Sequence, residues 1–202
     1  EEKDFVSAQQ WYGKLKNLYD DVEDKQEVIT RIAESVFRRA ESLEKQQRFN
    51  DAAVQYERVA IEFPNVAIAD VALFNAGLLY EKLAEWTKSV LMFQRLIQKY
   101  PESKLMPKAI FRTAKSYEKL HQWENAAQTY LRVIAKYPSS ELAPAAMYNA
   151  GFCFENAEKI REAAAVFEKM AELYPQSDDA ADVLFKAGEF YGQIKDWESV
   201  SR

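Results

Sequence analysis

Four prolines set the frame for the rest of the chain. Pro64, Pro101, Pro138 and Pro175 stand 37 residues apart, and each follows an aromatic residue: Phe63, Tyr100, Tyr137 and Tyr174. Other columns hold the same phase. A small residue recurs at Ala40, Gly77, Ala114, Gly151 and Gly188, and a large one three positions later at Leu43, Tyr80, Tyr117, Phe154 and Tyr191. A second set opens at Phe49, Trp86, Trp123, Ile160 and Trp197. It passes through Ala52, Ser89, Ala126 and Ala163 and reaches Tyr56, Phe93, Tyr130 and Phe167. A sequence that repeats at one period is a linear array of one supersecondary unit, each copy packed on its neighbours.

Residues 70–101 show what that unit is. Leu73, Ala76, Gly77, Tyr80 and Leu83 recur at spacings of three and four, and so do Trp86, Ser89, Val90, Phe93, Leu96, Ile97 and Tyr100. That rhythm places them on one face of each of two helices. The break at Ala84-Glu85 is too short for any arrangement but antiparallel. Gly77 and Ser89 let the backbones approach, Phe93 fills the space beside them, and Pro101 stops the second helix by forcing its predecessor out of the α region.

The predicted fold is therefore all-α, an array of antiparallel helix pairs with repeats over 28–64, 65–101, 102–138 and 139–175. Residues 1–27 read as the second helix of a preceding repeat, with Phe5, Ala8, Tyr12, Leu15 and Tyr19 in its columns, followed by the acidic connector DDVEDKQ. The connector is either a loop or an extension of the next helix, which is expected over about 28–46. Residues 176–202 supply a first helix and the start of a second. Beginning and ending in mid-repeat suggests a slice of a longer array. The faces of Phe5, Trp11, Tyr12, Leu15 and Trp197 are then expected to self-associate. Ser103, Ser140 and Ser177 are placed to cap the following helices. Pro107 and Pro144 suit a first turn, so the helix start is open between the two.

Composition narrows the function. A net charge of −5 offers no basic footprint for nucleic acid, and no apolar run is long enough to span a membrane. The single cysteine, Cys153, cannot form an internal disulfide and leaves the redox compartment open. It reads as a structural thiol, and the lone His121 as an exposed turn residue. One His and one Cys do not build the usual zinc sites, and the glycines are scattered rather than gathered in a phosphate loop. We therefore expect no enzyme activity, no cofactor and no metal.

A small residue, a Tyr three later, an Ala, a Tyr or Phe four beyond it and a terminal Pro resembles the tetratricopeptide pattern. The period here is longer than the usual ~34. The extra residues lie in the turn between pairs, PESKLMPKA, PSSELAPAA and PQSDDAADV. That turn resembles repeats of bacterial cell-envelope proteins, such as the Tol-Pal cell-division coordinator and the outer-membrane assembly lipoprotein. The resemblance implies a right-handed superhelical solenoid and a scaffold that binds a peptide or partner protein in a concave groove lined by first helices. It favours the periplasm or cell envelope, with the cytoplasm as alternative.

Three columns would face such a groove. The first is aromatic throughout: Phe37, Phe74, Phe111, Tyr148 and Phe185. The next is polar: Arg38, Asn75, Arg112, Asn149 and Lys186. Leu78, Lys115 and Phe152 lie on the following turn, and Lys108 on the preceding one. These residues are the candidate partner-binding set. Rings supply contact area, and amides and guanidinia hold a peptide backbone. The competing reading of the aromatic column is packing between adjacent pairs. The Lys and Asn clamp by which some tetratricopeptide domains grip chaperone tails is matched only by Lys108 and Arg112. Phe37, Glu41, Phe74 and Leu78 stand at its other places. Two other functions fit the same sequence: an end-to-end structural module, and a regulatory domain of a larger enzyme.

Overall fold

A computed structural model describes residues 22–195, together with Gln10. All regular structure among these residues is α-helical. The helices are α1 (Val22–Lys45), α2 (Phe49–Glu62), α3 (Ala69–Lys82), α4 (Trp86–Lys99), α5 (Met106–Lys119), α6 (Trp123–Lys136), α7 (Ala143–Asn156), α8 (Ile160–Leu173) and α9 (Ala180–Gln193). The chain forms two compact units that meet in sequence at Leu105 and Met106. Within the first, α1 to α4 each pack on the next in order; within the second, α5 to α9 do the same. The residues behind the expected preceding half-repeat and the second helix opening at Trp197 lie outside the described residues, as do all those named for self-association.

One turn follows every described first helix. Gln47, Ala84, His121, Glu158 and Lys195, again 37 apart, all have positive φ between 55° and 60°. The left-handed residue ends the first helix in a Schellman arrangement: the Glu85 N–H reaches the Tyr80 carbonyl at 2.8 Å and the Ala84 N–H reaches that of Glu81 at 3.0 Å. Equivalent bonds run from Arg48 to Leu43, Gln122 to Tyr117 and Lys159 to Phe154, each at 2.9 Å. His121 thus serves as the reversing residue of its pair.

From Val22 onward the acidic connector is an extension of the next helix, one of its two expected forms, and α1 begins six residues before the expected start. One sequence expectation changes. Ser103, Ser140 and Ser177 do not cap helices. Helices α5 and α7 begin at Met106 and Ala143, three residues beyond the serine, and a hydroxyl reaches only the N–H two positions on. Ser103 Oγ accepts from Leu105 N–H at 3.1 Å and Ser140 Oγ from Leu142 N–H at 3.3 Å, inside the turn. The cap of α9 is Asp179, with no side-chain bond. Ser103 also donates to Asp70 at 2.6 Å, and Tyr100 donates to the Pro64 carbonyl at 2.8 Å, so this turn is stitched to the one a period earlier.

The core follows the columns. Ala40, Ala114, Tyr56, Phe93, Tyr130 and Phe167 are all within 1% of full burial. A Cβ on Gly77 would lie 2.6 Å from the Phe93 ring, and one on Gly151 2.4 Å from that of Phe167. Where the first helix carries Ala instead, its partner ring is a tyrosine: Ala40 goes with Tyr56 and Ala114 with Tyr130. The array therefore alternates between Ala/Tyr and Gly/Phe pairs.

Candidate functional site on the first-helix faces

The aromatic column has one edge in the core and one at the surface. Phe37 stands edge-on to Tyr56 at 4.9 Å between centroids, Phe111 to Tyr130 at 5.1 Å, Phe74 tilts on Phe93 at 5.5 Å, and Tyr148 on Phe167 at 6.2 Å. Phe37, Phe74 and Phe111 are half-buried, and Tyr148 is 40% exposed. Phe185 is 71% exposed. Each seated ring is held by the second helix of its own pair while its remaining surface stays open.

The polar column is wired to the same rings. Asn75 hydrogen-bonds the Tyr56 hydroxyl, and Asn149 that of Tyr130. The hydroxyls in turn donate to Glu44 at 3.3 Å and Glu118 at 3.0 Å. Burial, then the nearby glutamates, pushes both phenols well above their usual range. Where the ring is Phe167 no hydroxyl is available, and Lys186 spans to Glu155 directly, with its ammonium 5.5 Å from the ring centroid. Arg38 is exposed and Arg112 half-buried. A second relay lies one helix over: Tyr80 donates to Glu57 at 3.3 Å, which also pairs with Arg95 at 2.7 Å, and Tyr191 donates to Glu168 at 2.9 Å. Phe154, lacking a hydroxyl, has Leu131 at the position matching those glutamates.

In the first unit these residues border a cleft of about 830 Å³. Asn75 and Leu78 line it, joined by Glu41, Glu44, Tyr56 and Lys82. The Lys82 ammonium sits 3.7 Å over the Phe49 ring. In the second unit, Phe152 is 39% exposed and stands edge-on to Trp123 at 6.4 Å. Lys108 is exposed and Lys115 half-buried. The glutamate column Glu44, Glu81, Glu118, Glu155 was missed by sequence reasoning, although its 37-residue spacing was a sufficient signal. Trp123 and the two tyrosines were read only as core.

Among the described residues no cluster of His, Cys, Asp and Glu could hold a metal ion. Cys153 is fully buried, and burial followed by Glu118 pushes its thiol up to about 12, far from thiolate chemistry at neutral pH. His121 is exposed and stands edge-on to Trp123 at 5.1 Å between centroids. No described helix is long and apolar enough to cross a membrane.

Solved structures share this fold at low identity. MamA (residues 41 to the end) from Desulfovibrio magneticus RS-1 is 16% identical, with a TM-score of 0.58 over 84% of this chain and 89% of that one. BtubC from P. vanneervenii is 12% identical, with a TM-score of 0.58 over 99% and 85%. YrrB, described as a tetratricopeptide protein with an unusual peptide-binding site, is 18% identical, with a TM-score of 0.58 over 91% and 84%. No curated protein matches the chain. The tetratricopeptide repeat model matches residues 34–65, 71–103, 108–140 and 145–177, in register with the 37-residue period. With well over half of its residues in those four matches, the chain belongs to the tetratricopeptide repeat family.

Proposed function

We propose that the chain is a non-catalytic scaffold that holds a peptide, or an extended segment of a partner protein, against the faces of its first helices. The half-seated aromatic column carries this reading. A ring already immobilised by Tyr56, Phe93, Tyr130 or Phe167 loses little further freedom on binding, and its open edge supplies apolar area. The cleft beside Asn75 and Leu78 gives such a segment a place to lie. The peptide-binding site named for YrrB supports the same reading on a shared fold. The Pro-x-Ser turn, by its likeness to cell-envelope repeats, extends the proposal to a scaffold that is part of a longer repeat protein of the bacterial cell envelope. Fractionation that finds the native protein only in the cytosol overturns that extension.

The test is selection of random displayed peptides on the wild-type chain, followed by affinity measurement on two pairs of variants. Phe74→Ala and Leu78→Ser alter the first-helix face. Val54→Ser and Leu91→Ser alter exposed apolar residues on the second helices. The first pair is expected to weaken binding by about 2 kcal/mol, as aromatic anchors do, and the second to leave it unchanged. The opposite pattern contradicts the proposal.

A further inference from the structure

The two units carry different chemistry at matching positions. In the first, Val71, Phe74 and Leu78 form an apolar row on α3; in the second, the same register on α5 reads Lys108, Phe111 and Lys115. Neither lysine makes a hydrogen bond or ion pair with any described residue. Phe111 between them is seated on Tyr130 of α6, and Asn149 of α7 reaches the hydroxyl of that same tyrosine. Beside Asn149 on α7 are Tyr148 and Phe152, 40% and 39% exposed, with Phe152 edge-on to Trp123. Two ammonium groups with no partner among the described residues thus flank Phe111 on α5, and the next first helix, α7, carries the exposed aromatics, in a chain whose net charge is −5.

We infer that the face formed by α5 and α7 selects internal acidic peptide segments with an aromatic or aliphatic anchor. Carboxylate side chains meet Lys108 and Lys115, and the anchor packs on Tyr148 and Phe152. An ammonium without an internal partner gives up no existing ion pair when a carboxylate arrives. The acidic remainder of the surface repels the same ligand elsewhere, so complementarity contributes specificity and association rate as well as affinity. The positions of the lysines along α5, one before and one after Phe111, call for acidic residues on both sides of the anchor. A free chain terminus is not required. This inference rests on the proposal that first-helix faces bind peptides.

The experiment uses the whole chain and end-blocked random peptides displayed on phage, selected separately on three proteins: wild type, Lys108→Glu with Lys115→Glu, and Tyr148→Ser with Phe152→Ser. All four positions are exposed or half-exposed, and unchanged melting curves confirm that the variants fold. Wild type is expected to enrich acidic peptides bearing Phe, Leu or Trp. These should lose about tenfold or more in affinity on the charge-reversed protein, and should bind less tightly as salt rises. The charge-reversed protein is expected to enrich basic peptides instead. Pools of equal charge on wild type and the reversed variant overturn the acidic preference. If those pools still fail on the Tyr148/Phe152 variant, the first-helix reading survives without it. Pools that bind all three proteins equally overturn this face as a peptide site in either form.

Discussion

Ala40, Gly77, Ala114 and Gly151 share a column, yet they do opposite jobs. Gly77 and Gly151 leave room for a phenylalanine ring that would lie 2.6 and 2.4 Å from any Cβ. Ala40 and Ala114 are buried methyls facing tyrosines that are drawn toward a glutamate and an asparagine. Opposite substitutions therefore both destabilise. Gly151→Ala should gain helix propensity but overpack against Phe167, with a net cost of about 1–3 kcal/mol. Ala114→Gly should cost about 1 kcal/mol or more from propensity and a lost methyl. Urea unfolding of both variants checks this; a stabilised Gly151→Ala would refute the ring contact. The sequence column made the need for a small residue legible. The alternation with the ring 16 residues on was equally present in the letters, but its reason, the hydroxyl's demand for partners, became visible only with Asn75 and Asn149 in place.

At the scale of the element, first and second helices are joined by buried tyrosines rather than by ion pairs alone. Tyr56 and Tyr130 are bonded to glutamates of their own pair, and Tyr80 to Glu57 of the pair before. Their folded pKa values lie above the ordinary 10.0, with Tyr80 at about 12, mainly through burial. The folded state therefore holds these protons more tightly than the unfolded one. The stabilisation is complete below the unfolded pKa and is lost as pH rises toward the folded values. Cys153, raised from 9.0 to about 12 by burial, acts in the same direction from a lower starting pH. Stability should thus be flat near neutrality and fall progressively above pH 9–10. Tyr130→Phe should make that alkaline decline shallower, read as the urea midpoint against pH; an unchanged slope would mean the phenol is not held as described. Helix boundaries were legible wherever proline or a short turn enforced them. The start of α1 was not, because DDVEDKQ carries no breaker and an acidic first turn is as compatible with helix as with loop. The serines misled for a related reason: a Ser after Pro serves a tight turn as well as a cap.

Across the whole molecule, the 37-residue period made the fold and the family legible before any coordinate, and the candidate columns fell on the first helices as the period required. What the period left open was which side of each ring is free. The spacing fits both a solvent-facing column and a packed one, and the observed arrangement is intermediate, with each seated ring held at one edge and open at the other. The chemical difference between α3 and α5 was written in Val71, Leu78, Lys108 and Lys115, but its meaning depended on which lysines had internal partners. The central claim, that first-helix faces receive the partner, is tested most directly by amide chemical-shift mapping with a selected peptide. The account predicts perturbations centred on first-helix residues such as Phe74, Asn75, Leu78, Phe111, Tyr148 and Phe152, with α4 and α8 largely silent. Perturbations confined to the second helices would contradict it.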